Sequence, residues 1–163
     1  MSRLGGGGGS ILMDIQEDTT ALILELTHDS LIFPVDTDET MTFIAATAVD
    51  TWITWTELVD NNAVTFSSKL AANIGHISAI VLEQADTSDA HYLIELAYGA
   101  STGATPITPK RLYTGAVPVK DMRQLTKVRS AAIPAGQTVW YRAKCDAGGS
   151  KTCTGHLRYH FDA

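Results

Sequence analysis

Thr138-Val139-Trp140-Tyr141-Arg142-Ala143 and Thr152-Cys153-Thr154-Gly155-His156-Leu157-Arg158-Tyr159-His160-Phe161 are the stretches that decide the fold. In the second, Leu157, Tyr159 and Phe161 alternate with His156, Arg158 and His160, so apolar and polar side chains fall on opposite faces of one strand. Both stretches are rich in β-branched and aromatic residues, which suit a pleated, half-buried surface. Asp146-Ala147-Gly148-Gly149-Ser150 lies between them and reads as a loop. The expectation is a C-terminal hairpin in which the two strands pair.

The same period of two runs back to residue 20. Ala21-Leu22-Ile23-Leu24-Glu25-Leu26, Thr40-Met41-Thr42-Phe43-Ile44-Ala45, Thr51-Trp52-Ile53-Thr54-Trp55-Thr56 and Ala63-Val64-Thr65-Phe66-Ser67 read as strands. Ile77-Ser78-Ala79-Ile80-Val81-Leu82 reads as a strand buried on both faces, followed by Tyr92-Leu93-Ile94-Glu95-Leu96-Ala97-Tyr98. Arg111-Leu112-Tyr113 and Leu125-Thr126-Lys127-Val128-Arg129 follow a loop that contains Pro106 and Pro109. The one helix-like stretch, residues 67–73, is short and stops at Gly75. Eight to ten strands in 163 residues predict an all-β, antiparallel β-sandwich of jelly-roll type. An immunoglobulin sandwich needs only about seven strands over ~100 residues.

Residues 1–19 read as an extended N-terminal arm, and residues 20–163 as one domain. Gly5, Gly6, Gly7, Gly8 and Gly9 form a hinge that no packed element favours. Leu4 lies before it and Ile11, Leu12, Met13 and Ile15 after it, as apolar anchors for a neighbouring chain. An engineered spacer is the other reading of the glycine run. No apolar run reaches the ~18–20 residues that cross a bilayer, and the N-terminus lacks a signal-peptide core, so no membrane partner is expected.

The net charge of −6 is unevenly spread. Residues 1–100 carry fifteen acids against Arg3 and Lys69, whereas residues 101–163 carry ten Lys or Arg against three acids. Such halves either pair within one fold or meet across an interface between copies. The basic residues are spread over several strands rather than clustered with aromatics, so no nucleic-acid partner is expected.

Candidate chemistry is sparse. His156 and His160 lie four residues apart on one strand face, and histidines on one strand face can grip a metal in cupin-type jelly rolls, but Arg158 between them repels a cation. A solvated strand face accounts for all three, and no metal or cofactor is expected. Asp86, Asp89 and His91 form no hydrolytic or calcium-loop pattern and read as a polar hairpin loop. No catalytic residue is assigned. Cys145 and Cys153 flank the expected C-terminal hairpin loop, where a disulfide or two free thiols are both open. Trp52 and Trp55 have opposite parity on one expected strand, so at least one faces outward, to an interface or a sugar.

Three stretches carry a resemblance. They are Asp60-Asn61-Asn62 through Lys69 with Gly75-His76-Ile77-Ser78, then residues 92–99, and the ending Ile133-Pro134-Ala135-Gly136-Gln137-Thr138-Val139-Trp140-Tyr141-Arg142 with Thr152-Cys153-Thr154 and residues 156–160. In that ending Pro134 presets a type I turn that Gly136 closes. Over about two-thirds of its length the chain resembles small phage structural proteins, jelly-roll or similar subunits that sit on or project from the capsid, typically as trimers. The resemblance implies a virion protein assembled in the host cytoplasm: a non-enzymatic capsid decoration or cement subunit that binds the capsid surface and bridges neighbouring subunits, with itself as a homotrimer and the major capsid protein or other virion subunits as partners. The alternative is a head-fibre or tail-associated module that binds a receptor or glycan through exposed aromatics and the loop 99–109. A cupin-like metal enzyme is a distant third.

Overall fold

A computed structural model describes residues 31–35, 39–100, 104–114 and 124–162. The arm residues Leu4, Gly5, Gly6, Gly7, Gly8, Gly9, Ile11, Leu12, Met13 and Ile15, and the first expected strand, lie outside the described residues.

The chain is an all-β sandwich. Its strands are β1 (Leu31–Phe33), β2 (Met41–Ile44), β3 (Thr56–Glu57), β4 (Gly75–Ala85), β5 (His91–Tyr98), β6 (Thr105–Tyr113), β7 (Gln124–Lys127), β8 (Val139–Cys145) and β9 (Thr152–Phe161). One antiparallel sheet has the order β1-β9-β4-β7, with β2 also on β9, and the other has the order β3-β8-β5-β6. Among the described residues only β5–β6 is a hairpin within a sheet; the connections between the described strands from β2 to β5 and from β6 to β9 change sheet. Two four-strand paths threaded alternately in this way make a jelly roll.

The expected C-terminal hairpin is therefore corrected. β8 pairs with β3 and β5, while β9 pairs with β1, β2 and β4. The alternation itself explains this. Val139, Tyr141, Ala143 and Cys145 of β8 are buried, and so are Cys153, Leu157 and Tyr159 of β9. The two apolar faces meet across the core, about 10 Å apart, instead of lying side by side.

Between the sheets, Phe43 meets Tyr141 edge-on at 5.2 Å, and Phe33, Phe66, Tyr159 and Phe161 form a chain of rings 5.0–5.4 Å apart. Phe66 comes from a 3-10 turn, Phe66–Leu70, whose first turn is capped by Thr65 accepting from the Ser68 N–H. The strand expected over 63–67 is thus reduced to a single bridge from Thr65 to Val59, followed by the 3-10 segment. Asp60 accepts from the Asn62 and Val64 N–H groups and bends the chain just before it.

Two further expectations change. Residues 51–55 form no strand: Asp50 has φ of 54° and Ile53 makes a single backbone bond to Ala143, so pairing with β8 begins only at Thr56. The prolines lie inside β6 rather than in a loop. Pro106 and Pro109 are tolerated because β6 is an edge strand, and the register shifts between Ile94 and Leu96, opposite Pro109. The Pro134 turn also differs in type. Gln137 N–H donates to the Pro134 carbonyl and Gly136, in the third position, has φ of 72°, the positive value that a type II turn requires.

Candidate functional site

Arg142 of β8 stands directly opposite Glu95 of β5 on the outer face of the β3-β8-β5-β6 sheet. Its Nε donates to Glu95 Oε2 at 2.6 Å and a terminal nitrogen reaches the same oxygen at 2.5 Å. The guanidinium is 4.7 Å from the Trp52 ring and 4.5 Å from the Trp55 ring, a cation between two indoles. The irregular 51–55 segment makes this possible, since a regular strand would send the two rings to opposite faces. Lys144 lies 5.6 Å from Trp52 and 3.6 Å from Asp50. Acids of the first hundred residues thus meet bases of the last sixty inside one domain. The indole faces turned to Arg142 are occupied, which leaves less aromatic surface for a sugar than exposed rings would offer.

Asp86, Asp89 and His91 are close in sequence but engage separate partners. Asp86 accepts from the Tyr92 hydroxyl at 2.9 Å and from the Thr152 N–H and hydroxyl at 2.9 and 3.1 Å. Asp89 accepts from the Tyr113 hydroxyl, and His91 binds Asp146 through both its N–H and its ring. Each tie fixes a loop to a strand end. Burial and the Asp86 charge raise the Tyr92 phenol far above its ordinary pKa, while the His91 N–H holds the Asp146 carboxyl below the usual range.

Cys145 and Cys153 are buried free thiols in facing sheets. The hairpin on which a bridge between them rested does not form. Burial raises both thiols, Cys153 the more strongly, with Asp86 adding to the effect. That makes them poor nucleophiles.

The outer face of the other sheet is not the plain solvated strand face expected for His156, Arg158 and His160. His156 is buried, with Nδ1 2.9 Å from Glu83 Oε1. His160 stacks on His76 at 5.1 Å, and His76 bonds Asp162 at 2.7 Å. Among the described residues no group of three His, Cys, Asp or Glu is placed to hold a metal ion. Beside the histidine pair lies an open cleft of about 360 Å³, walled by Lys127, Arg129, Arg158 and Ser130 over Ala79 and Leu125. Sequence reasoning passed over Lys127, Arg129 and His76. Their local spacing carries no signal, because sheet pairing across β4 is what unites them with Arg158.

The described residues also leave an apolar edge. Leu31, Ile32, Val35 and Ile44, on and beside β1 and β2, are each at least 40% exposed. Compared with family models, with curated proteins and with solved structures, the chain finds no match.

Proposed function

We propose that this chain is a structural subunit of a phage particle, a capsid-associated decoration or cement protein that acts by binding rather than by catalysis. The observation that carries the reading is the apolar edge formed by Leu31, Ile32, Val35 and Ile44. A sheet edge presents unpaired backbone groups, and proteins that stay monomeric usually blunt it with charge or proline. Pro34 stands beside this edge, but the four exposed side chains along it are apolar, which suits burial against a second copy or a capsid subunit. The jelly roll is compatible with this role, although lectins and cupins use the same architecture. The alternative glycan-binding reading rests on exposed aromatics and on a loop over 99–109, and most of the described part of that loop is the edge strand β6. In the leading reading several weak contacts per oligomer, including those of the arm, combine through avidity.

Co-sedimentation with capsids that lack the protein tests the proposal. Full-length protein should pellet with the particles, and Val35→Lys with Ile44→Lys should together weaken pelleting at least ~10-fold, about 1.4 kcal/mol or more in total. Wild-type protein that remains in the supernatant at saturating capsid concentration removes the reading.

A further inference from the structure

The cleft on the outer face of the β1-β9-β4-β7 sheet is built by cross-strand register. Arg158 of β9 and Lys127 of β7 both pair with Ala79 of β4. Adjacent strands lie about 4.8 Å apart, so two long cationic side chains flank a methyl group across about 10 Å. The small side chain leaves the room between them, a cleft of about 360 Å³. That lies within the range of small-molecule sites, roughly 300–1,000 Å³.

The third cation is fixed by the backbone. Val128 N–H donates to the Ser78 carbonyl at 2.8 Å, Ser130 N–H to the Ile77 carbonyl at 3.1 Å, and Ile77 N–H to Ser130 Oγ at 2.7 Å. Clamped between these bonds, Arg129 has φ of 50°, a left-handed value uncommon for a residue with a side chain. Strained backbone of this kind persists where surrounding contacts over-determine it, and it clusters at ligand sites.

The charges are unbalanced here, in contrast to the opposite sheet. Arg142 and Lys144 each have a carboxylate partner, whereas among the described residues Lys127, Arg129 and Arg158 make no ion pair. The near carboxylate, Asp162, is bonded to His76. Arg158 Nε is buried without a hydrogen-bond partner. A buried donor left unpaired is costly, and three converging cations repel one another unless an anion sits among them.

We propose that this cleft binds the phosphoryl group of a small phosphomonoester, seated over Ala79 between Arg158, Lys127 and Arg129, with its organic part against Leu125. A phosphoryl group carries close to two negative charges and three acceptor oxygens, which matches three cationic side chains placed on both flanks of Ala79. A single carboxylate is planar and singly charged, and one arginine fork satisfies it. The site does not depend on the particle-binding role.

The test is titration of the full-length protein, followed by amide NMR shifts of Ala79, Lys127 and Arg129, with inorganic phosphate, glycerol phosphate and acetate as separate probes. Glycerol phosphate should saturate with a Kd below about 1 mM, and acetate should bind at least ~10-fold more weakly. Arg158→Gln and Lys127→Ala should each weaken glycerol phosphate at least ~10-fold, while Lys69→Ala leaves it unchanged. Lys127 sits on the edge strand β7, so its variant stays informative if Arg158→Gln does not fold. Three results overturn the proposal: no saturation up to about 10 mM, variants that bind like wild type, or binding confined to phosphatidylglycerol vesicles. The last would assign the face to a lipid surface instead.

Discussion

Gly155→Ala is the perturbation for which the structure gives the clearest magnitude. Gly155 lies in β9 between Met41 of β2 and Leu82 of β4. A Cβ at this position would fall 2.0 Å from the Val81 carbonyl oxygen, 3.0 Å from its carbon and 3.2 Å from Leu82 Cα. All three are backbone atoms, so no rotamer change relieves the clash. An ordinary C···O contact is about 3.3–3.6 Å, so β4 and β9 must separate by more than ~1 Å at this point. Overpacking a core costs about 1–3 kcal/mol, and a backbone-only clash belongs at the upper end. At roughly 2–4 °C per kcal/mol for a domain of this size, about 3 kcal/mol lowers Tm by some 6–12 °C. Urea and thermal unfolding followed by circular dichroism measure it. Gly149→Ala is the control: its Cβ meets nothing within 4 Å, but φ of 87° still costs about 1 kcal/mol. A Gly155→Ala variant within ~0.5 kcal/mol of wild type would falsify the β4–β9 packing described above.

Four further outcomes follow from the same geometry. Arg142→Ala leaves the buried Glu95 carboxylate unpaired and uncovers Trp52 and Trp55; unfolding should show a loss of about 2–3 kcal/mol, with red-shifted tryptophan emission. Tyr92→Phe removes the hydroxyl that donates to Asp86 and to the Thr152 carbonyl, and denaturant melts should show a loss of about 1–2 kcal/mol. Cys145 and Cys153, buried and with raised pKa, should resist a thiol reagent at pH 8 and titrate as two thiols after denaturation; fast native labelling contradicts this. The Asp146 carboxyl is held below its ordinary 3.8 by the His91 N–H, so its contribution is present above that pH and is lost as the pH falls through the lower, folded value. Asp146→Asn should therefore flatten the acid limb of the stability–pH curve, and an unchanged limb removes this linkage.

Strand faces were legible in the sequence because burial and period two are the same fact. Tyr141 and Ala143, or Leu157 and Tyr159, announce an inner face without any neighbour being known. Sheet membership was not legible. Alternation says that β8 and β9 each have an apolar side, but a hairpin and a pair of facing strands satisfy it equally well. Pro106 and Pro109 signal a loop in the sequence, and the edge position of β6 opposite a register shift is what admits them to a strand. Trp52 and Trp55 misled for a related reason, since parity on an assumed strand hid the chance that both rings embrace Arg142. The basic cleft was invisible because Lys127 and Arg158 are thirty-one positions apart and meet only through Ala79. From the sequence, Arg158 is a polar-face residue whose charge opposes a metal ion between two histidines.

The solution mass of the full-length chain, measured by light scattering beside Ile44→Lys, tests most directly the claim that the apolar β1–β2 edge is an interface of a virion subunit. The account expects wild-type particles at three times the 17.5 kDa chain mass, falling to single chains when the edge is charged. Wild-type protein that stays at 17.5 kDa across micromolar concentrations, indistinguishable from the variant, contradicts it.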